Sequence, residues 1–316
     1  MLEVLEAGGL ATLQDAGRIG WRRFGVPAAG PMDAFAFRAA NLLAGNGNNA
    51  AALEIGARDL VLRAVHDCVV AVTGMGYQLS IGPWGFPLWS SYFVRGGWSI
   101  WLTKSGFGMW AYVAIAGGFD IPPVLGSQST YLRGRLGGLE GRSLQPGDKL
   151  QCSAPAHLLM ESAARRLTEE ARPAYESSPT VDVVLGPQSG HFNDANLGTF
   201  LSSPYRVSSS SDRMGYRLEG PRLERKVNGE LTSEGMTTGS IQVPPDGQPI
   251  VMMADSATTG GYPKIACVTS ADAPLLAQCT PGRDEVHFRQ VTVESAQAKY
   301  RGLMARMRKG MIESDE

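Results

Sequence analysis

The sequence predicts a mainly β chain with a few short helices, and three observations carry that reading. The 316 residues include 39 glycines and 19 prolines, so tight turns punctuate the chain throughout. Between the turns stand short apolar runs, such as "VDVVLGP" from residue 181, in place of long helical stripes. Each half also closes on a Pro-Gly turn that feeds a strand: "LQPGDKLQC" ends at Cys152, and "CTPGRDEVHF" follows about 135 residues later. The length points to about two compact units of similar plan.

Taken in order, residues 1–152 read as an N-terminal β-rich domain. One helix is marked inside it. Gly30-Pro31 opens this helix, and Asp33 lies in the first turn, where an anion suits the dipole. Met32, Phe35, Ala39, Leu42 and Leu43 form its apolar stripe, and Gly45 ends it. Residues 153–180 read as a linker, with three prolines around a short helical pattern at Met160, Ala164, Leu167 and Ala171. Strands resume in a C-terminal domain over 181–295. A helical tail over 296–316 follows, its last residues frayed and its Arg306, Arg308 and Lys309 on a solvated face.

Composition excludes several classes of function. A net charge of -1 gives no footprint for nucleic acid or an anionic bilayer, both of which need clustered lysine and arginine. No stretch approaches the roughly 18 apolar residues of a membrane span, and the N-terminus lacks the features of a secretory signal. The expected location is therefore cytoplasmic. Cys68, Cys152, Cys267 and Cys279 are too scattered for a metal site with His66, His157, His191 or His287, and are expected to be mostly buried, reduced thiols. Metal is not expected, and neither G-x-S-x-G nor H-E-x-x-H occurs.

The candidate chemistry concentrates in the second half. In "TTGGYPKIACV", Tyr262-Pro263 fixes the backbone, two glycines leave room, and Lys264 presents a cation to a carboxylate, carboxyl-biotin or phosphoryl oxygen. The competing account is a structural ion pair with Asp255 or Glu234. The run Ile250–Ala254 predicts a buried strand that ends in Asp255, while Glu234 and Gln242 add a carboxylate and an amide if the strands pair in order. In "SDRMGYRLEG", alternation puts Arg213, Gly215 and Arg217 on one face and Met214, Tyr216 and Leu218 on the other. Two guanidiniums would then flank a bare glycine surface, the competing account being arginines paired with nearby acids. Near the N-terminus, Gln14, Asp15, Arg18 and Asp33 gather in glycine-rich loops beside a helix start, with Asp15 and Arg18 as a local pair in the structural account. The segment "GSQSTYLRGRLGGLEGRSLQPGD" lacks the G-x-x-x-x-G-K-[ST] spacing, so the chain is not expected to bind ATP alone.

Read together, "TLQDAGRIG", "GVPAAGPMD", "AIAGGFDIPPVLGSQSTY", "SDRMGYRLEG", "SEGMTTGSIQVPPDGQPIVMMAD" and "TTGGYPKIA" resemble the KipA-like family. That family is also called allophanate hydrolase subunit 2 or the biotin-dependent carboxyltransferase family, and the resemblance spans about residues 1–295. It implies a fold of two cyclophilin-like β-barrel type units and an active cleft shared with a KipI-like (PxpB-type) partner subunit. Some family members open 5-oxoproline to glutamate with ATP, together with that subunit and a LamB/YcsF-type (PxpA) protein. Others carry carboxylate from carboxyl-biotin to urea. Both reactions act on a small amide or lactam and need donors for a developing oxyanion. The implied catalytic residues are Lys264, Arg213, Glu234 and Asp255. Gln242, Tyr262, Tyr216, Asp33, Asp15 and Arg18 are the implied substrate-binding residues.

Trp110 and Gln128 depart from the family pattern, in which arginine is frequent at both places, and each change removes a cation from the N-terminal unit. The chain has no Met-Lys-Met biotin site. The first expectation is thus a component of an ATP-dependent 5-oxoprolinase that holds no cofactor by itself. A carboxyltransferase component served by biotin enzymes made elsewhere is the alternative. A regulatory binder of a KipI-like kinase inhibitor is the non-enzymatic reading.

Overall fold

Strands whose side chains alternate between interior and exterior account for most of the computed structural model, which describes residues 1–152, 154, 156–226 and 231–313. The chain forms two units. The first comprises Met1–Ile19, Ala29–Pro173 and Met304–Glu316, and the second comprises Gly20–Ala28 and Ala174–Leu303.

The first unit is built from β1 (Leu2–Ala7), β2 (Leu10–Gln14), β3 (Ala52–Gly56), β4 (Leu60–Ala64), β5 (Cys68–Gly74), β6 (Tyr77–Ile81), β7 (Trp84–Phe86), β8 (Ser90–Val94), β9 (Ser99–Lys104), β10 (Trp110–Ile115), β11 (Lys149–Leu150) and β12 (Arg165–Leu167). Among the described residues they make one sheet in the order β11-β1-β4-β9-β6-β7. The other runs β2-β3-β10-β5-β8-β12 and ends on the strand Met311–Glu313. Both sheets turn aliphatic residues into one core, Leu2, Leu62 and Ile100 from the first and Leu13, Ile55 and Val113 from the second. All of β10 is buried, because helix α1 (Ala34–Leu43) packs on this sheet and buries most of its own residues. Asp33 is the cap of α1 and precedes its first turn, with Oδ1 accepting from the Ala36 amide at 2.9 Å.

Two predicted features of this unit take another form. The helical pattern from Met160 to Ala171 breaks at once: helix α2 spans only Ala156–Ser162, Ala164 is left-handed at φ 58, and Leu167 belongs to β12. Long-range pairing overrides the local spacing, since Arg166 sits opposite both Ser90 and Ile312. At the C-terminus, the helix Val293–Lys309 does expose Arg306, Arg308 and Lys309, but it leads into the strand Met311–Glu313. The expected fraying of 314–316 falls outside the described residues.

The second unit is a closed barrel of β13 (Thr180–Leu185), β14 (Tyr205–Val207), β15 (Gly215–Glu219), β17 (Ser240–Gln242), β18 (Ile250–Met252), β20 (Lys264–Val268) and β21 (Glu285–Gln290). A separate two-strand ribbon pairs β16 (Glu234–Gly235) with β19 (Thr259–Gly260). The barrel order is β13-β20-β17-β18-β15-β14-β21, and the parallel pair of β13 with β21 closes it. Residues 20–28 join this unit: Arg22 donates from Nη2 to the carbonyls of Met236 and Ala257, both at 2.9 Å. Among the described residues no helix is long and apolar enough to cross a membrane.

Candidate functional site

Pairing of the barrel strands brings Lys264 and Gln242 together. Antiparallel β17 and β20 are in register at Ile241–Ala266, then slip so that Gln242 faces Lys264. An irregularity of this kind re-aims a side chain at a sheet edge. Backbone crowds close behind, because a Cβ on Gly186 would lie 2.2 Å from the Lys264 carbonyl, so position 186 tolerates glycine alone.

The Lys264 ammonium meets Glu234, Nζ to Oε2 at 2.7 Å. The lysine side chain is 11% exposed and the glutamate 43%, so an accessible carboxylate covers a largely enclosed cation. Glu234 arrives on the ribbon, where it pairs with Gly260. Hydrogen bonding from Lys264 is the leading cause that holds the Glu234 carboxyl below its usual range. Gln188 completes the group: its Nε2 donates to Glu234 Oε1 at 2.9 Å, and its Oε1 accepts from the Lys264 amide at 3.2 Å. Sequence reasoning passes over Gln188, although its place after Gly186-Pro187 at the end of a strand is the kind of position where site residues stand.

Gln242 is buried, and its Nε2 donates to the Tyr262 carbonyl at 3.1 Å, which fixes the turn that carries the lysine. The glycines ahead of that turn make room for the protein itself, as a Cβ on Gly260 would stand 2.4 Å from Gln242 Nε2. Tyr262 is 45% exposed, with the Arg225 guanidinium 5.7 Å from its ring centre. Arg225 also escapes sequence reasoning; it lies far from Tyr262 in the chain and no local pattern marks it.

Arg213 belongs to a second, buried pair. Its Nε and Nη2 donate to Asp255 Oδ2 and Oδ1, each at 2.9 Å, and the two side chains are only 6% and 7% exposed. The expected face of two guanidiniums is therefore not formed: Arg217 is exposed on β15, whereas Arg213 precedes that strand in a turn and points inward. Tyr216 is also interior, donating its hydroxyl to the Ala277 carbonyl at 2.9 Å.

In the first unit, Asp15, Arg18 and Asp33 are buried within the fold. Asp15 accepts from the hydroxyls of Ser127 and Ser129, both at 2.6 Å, and from the amides of Gly17 and Gln128. Arg18 donates to the carbonyls of Val124 and Ser129, so the acid and the arginine meet through Ser129. Gln128 donates to the Ile121 carbonyl at 2.6 Å, and Trp110 is core. The four cysteines are free, Cys68 and Cys279 buried, Cys152 and Cys267 half-buried. Burial pushes the Cys68 thiol up to about 12, far from nucleophilic thiolate.

Comparison with known proteins agrees with this architecture. The family model described as carboxyltransferase domain, subdomain A and B, matches residues 24–290. The chain is 40% identical over 303 residues to the C-type subunit of 5-oxoprolinase from Escherichia coli strain K12, covering 94% of this chain and 93% of that protein. The corresponding 5-oxoprolinase component of Haemophilus influenzae is 39% identical over 299 residues, with 94% and 93% covered. The crystal structure of K. lactis urea amidolyase superposes with a TM-score of 0.88 at 26% identity, across all of this chain but 21% of that one. The chain belongs to the carboxyltransferase domain family, in its subdomain A and B part.

Proposed function

We propose that this chain is the C-type component of an ATP-dependent 5-oxoprolinase, opening 5-oxoproline to glutamate within a multi-subunit complex. Its other members are a KipI-like subunit and a LamB/YcsF-type protein. Likeness to the C-type components of two 5-oxoprolinases, along almost the whole of each chain, supports this reading. The structural observation that carries it is the enclosed Lys264 ammonium under an accessible Glu234 carboxylate. In the overall reaction the lactam C–N bond breaks and the elements of one water add across it, while a second water is consumed as ATP yields ADP and phosphate. As the amide carbon is attacked its oxygen gains negative charge, which a fixed ammonium stabilises. A substrate carboxylate or that oxyanion takes the place of Glu234 beside Lys264, and the displaced glutamate is left to orient the amide N–H. Gln242 and Gln188 hold lysine and glutamate in place and act as positioning residues.

ATP is handled by the assembled complex, and this chain holds no cofactor alone. The test mixes the purified chain with its KipI-like and LamB/YcsF-type partners and follows ATP consumption with 5-oxoproline and, separately, with urea. Stimulation by 5-oxoproline is expected. Absence of turnover with either substrate would favour the regulatory binder of a KipI-like kinase inhibitor. The carboxyltransferase reading has its own support in the family description and in the urea amidolyase likeness. Under it, a biotinylated carrier protein co-purifies with the chain and urea is the substrate.

A further inference from the structure

A cleft of about 550 Å³ lies in the barrel unit, lined by Arg22, Arg23, Thr237, Thr238, Thr258 and Thr259. Its size is that of a small-molecule site. Its charge is unbalanced: among the described residues, no carboxylate lies within ion-pair distance of Arg22 or Arg23. Arg22 commits Nη2 to two neutral carbonyls, which fix the guanidinium without neutralising it. Burial alone lowers its pKa, with no anion acting to raise it. Arg23 donates no hydrogen bond among the described residues, and its guanidinium lies 4.9 Å from the Phe24 ring centre. The two arginines sit on a short turn, Arg22–Phe24, that ends on Gly25 at φ 81, a conformation that favours glycine. Thr237, Thr238, Thr258 and Thr259 line the same cleft. Thr237 is already engaged with Ser240 at 3.0 Å, which leaves Thr238, Thr258 and Thr259 as hydroxyl donors.

Two cations without a carboxylate partner among the described residues, in one cleft with neutral hydroxyls, form a receptor for oxyanions, since guanidinium matches carboxylate and phosphate geometry and hydroxyls donate to the remaining oxygens. We infer that this cleft binds a small molecule through a carboxylate or phosphate group, in contact with Arg22 and Arg23.

Calorimetric titration of the purified full chain tests this. One arm uses inorganic phosphate, the other sodium acetate as the carboxylate, each against chloride at matched ionic strength. Saturable binding in one arm identifies the anion class. Arg23→Gln weakens it at least about tenfold, as expected for one lost charge-assisted contact, and Lys264→Met leaves it unchanged. Arg22→Gln weakens it as well, but it also frees two carbonyls and so disturbs the turn; Arg23→Gln breaks no hydrogen bond and keeps the test clean. No saturable binding in either arm overturns the inference, as does binding that survives Arg23→Gln or is lost in Lys264→Met. Because binding is read without partners or ATP, failure here is distinct from failure of the hydrolase reading.

Discussion

Two ion pairs in the barrel unit are built from similar groups in opposite surroundings. Arg213 and Asp255 meet through two parallel hydrogen bonds in the interior, whereas Lys264 and Glu234 meet through one at the start of β20, where the carboxylate is nearly half exposed. Taking both charges of the first pair out of water makes each dependent on the other, so the fold bears the loss of either. The second pair leaves one partner free to move and a cation ready for a different anion. Similar salt bridges therefore point to different roles, and exposure of the acid is what separates them.

The largest effect expected is on stability. Arg213→Ala leaves the buried Asp255 side chain without its arginine and costs about 3–5 kcal/mol in urea denaturation. The double variant Arg213→Met with Asp255→Leu recovers most of that loss; equal destabilisation by single and double variants would break the contrast. Next comes Lys264→Met, which lowers ATP-coupled turnover of the complex at least about 100-fold with little change in the urea midpoint. A large midpoint shift would place Lys264 in the same structural class as Arg213. Gln188→Ala removes the bridge between the Glu234 carboxylate and the Lys264 backbone, and is expected to reduce kcat/KM about fivefold while the chain still assembles with its partners. Smallest is the pH response. Because Glu234 titrates below its ordinary range, its pair with Lys264 contributes fully above the unfolded glutamate pKa and is lost only as pH falls through the lower folded value. Carbon-detected NMR of the Glu234 carboxyl follows this, and Lys264→Met should return its titration towards the ordinary 4.5.

The same contrast explains what can be read from the sequence. Helix α1 is legible because Gly30-Pro31, Asp33 and the apolar stripe are local signals, and the cluster of Lys264, Glu234, Gln242 and Tyr262 is legible because a cation beside glycines and proline is locally unusual. Arg213 is misplaced when the alternation of β15 is extended beyond its first residue, Gly215, into a turn where period two no longer holds. The strand Arg165–Leu167 is hidden because its partners, Ser90 and Met311–Glu313, lie far away in sequence. Gln188 and Arg225 go unmarked for the same reason, as each acquires its role from residues that only the folded barrel brings near.

The parallel seam between β13 and β21 bears on synthesis of the chain. Val183 lies opposite Gln290, so a ribosome has to release the chain through residue 290 before the cylinder has both of its edges. Until then Val181 and Val183 stand on an open margin able to pair with another molecule. The nascent chain is thus most exposed to misassembly while the residues between β13 and β21 emerge, and slowing translation there should increase aggregation more than slowing it anywhere earlier.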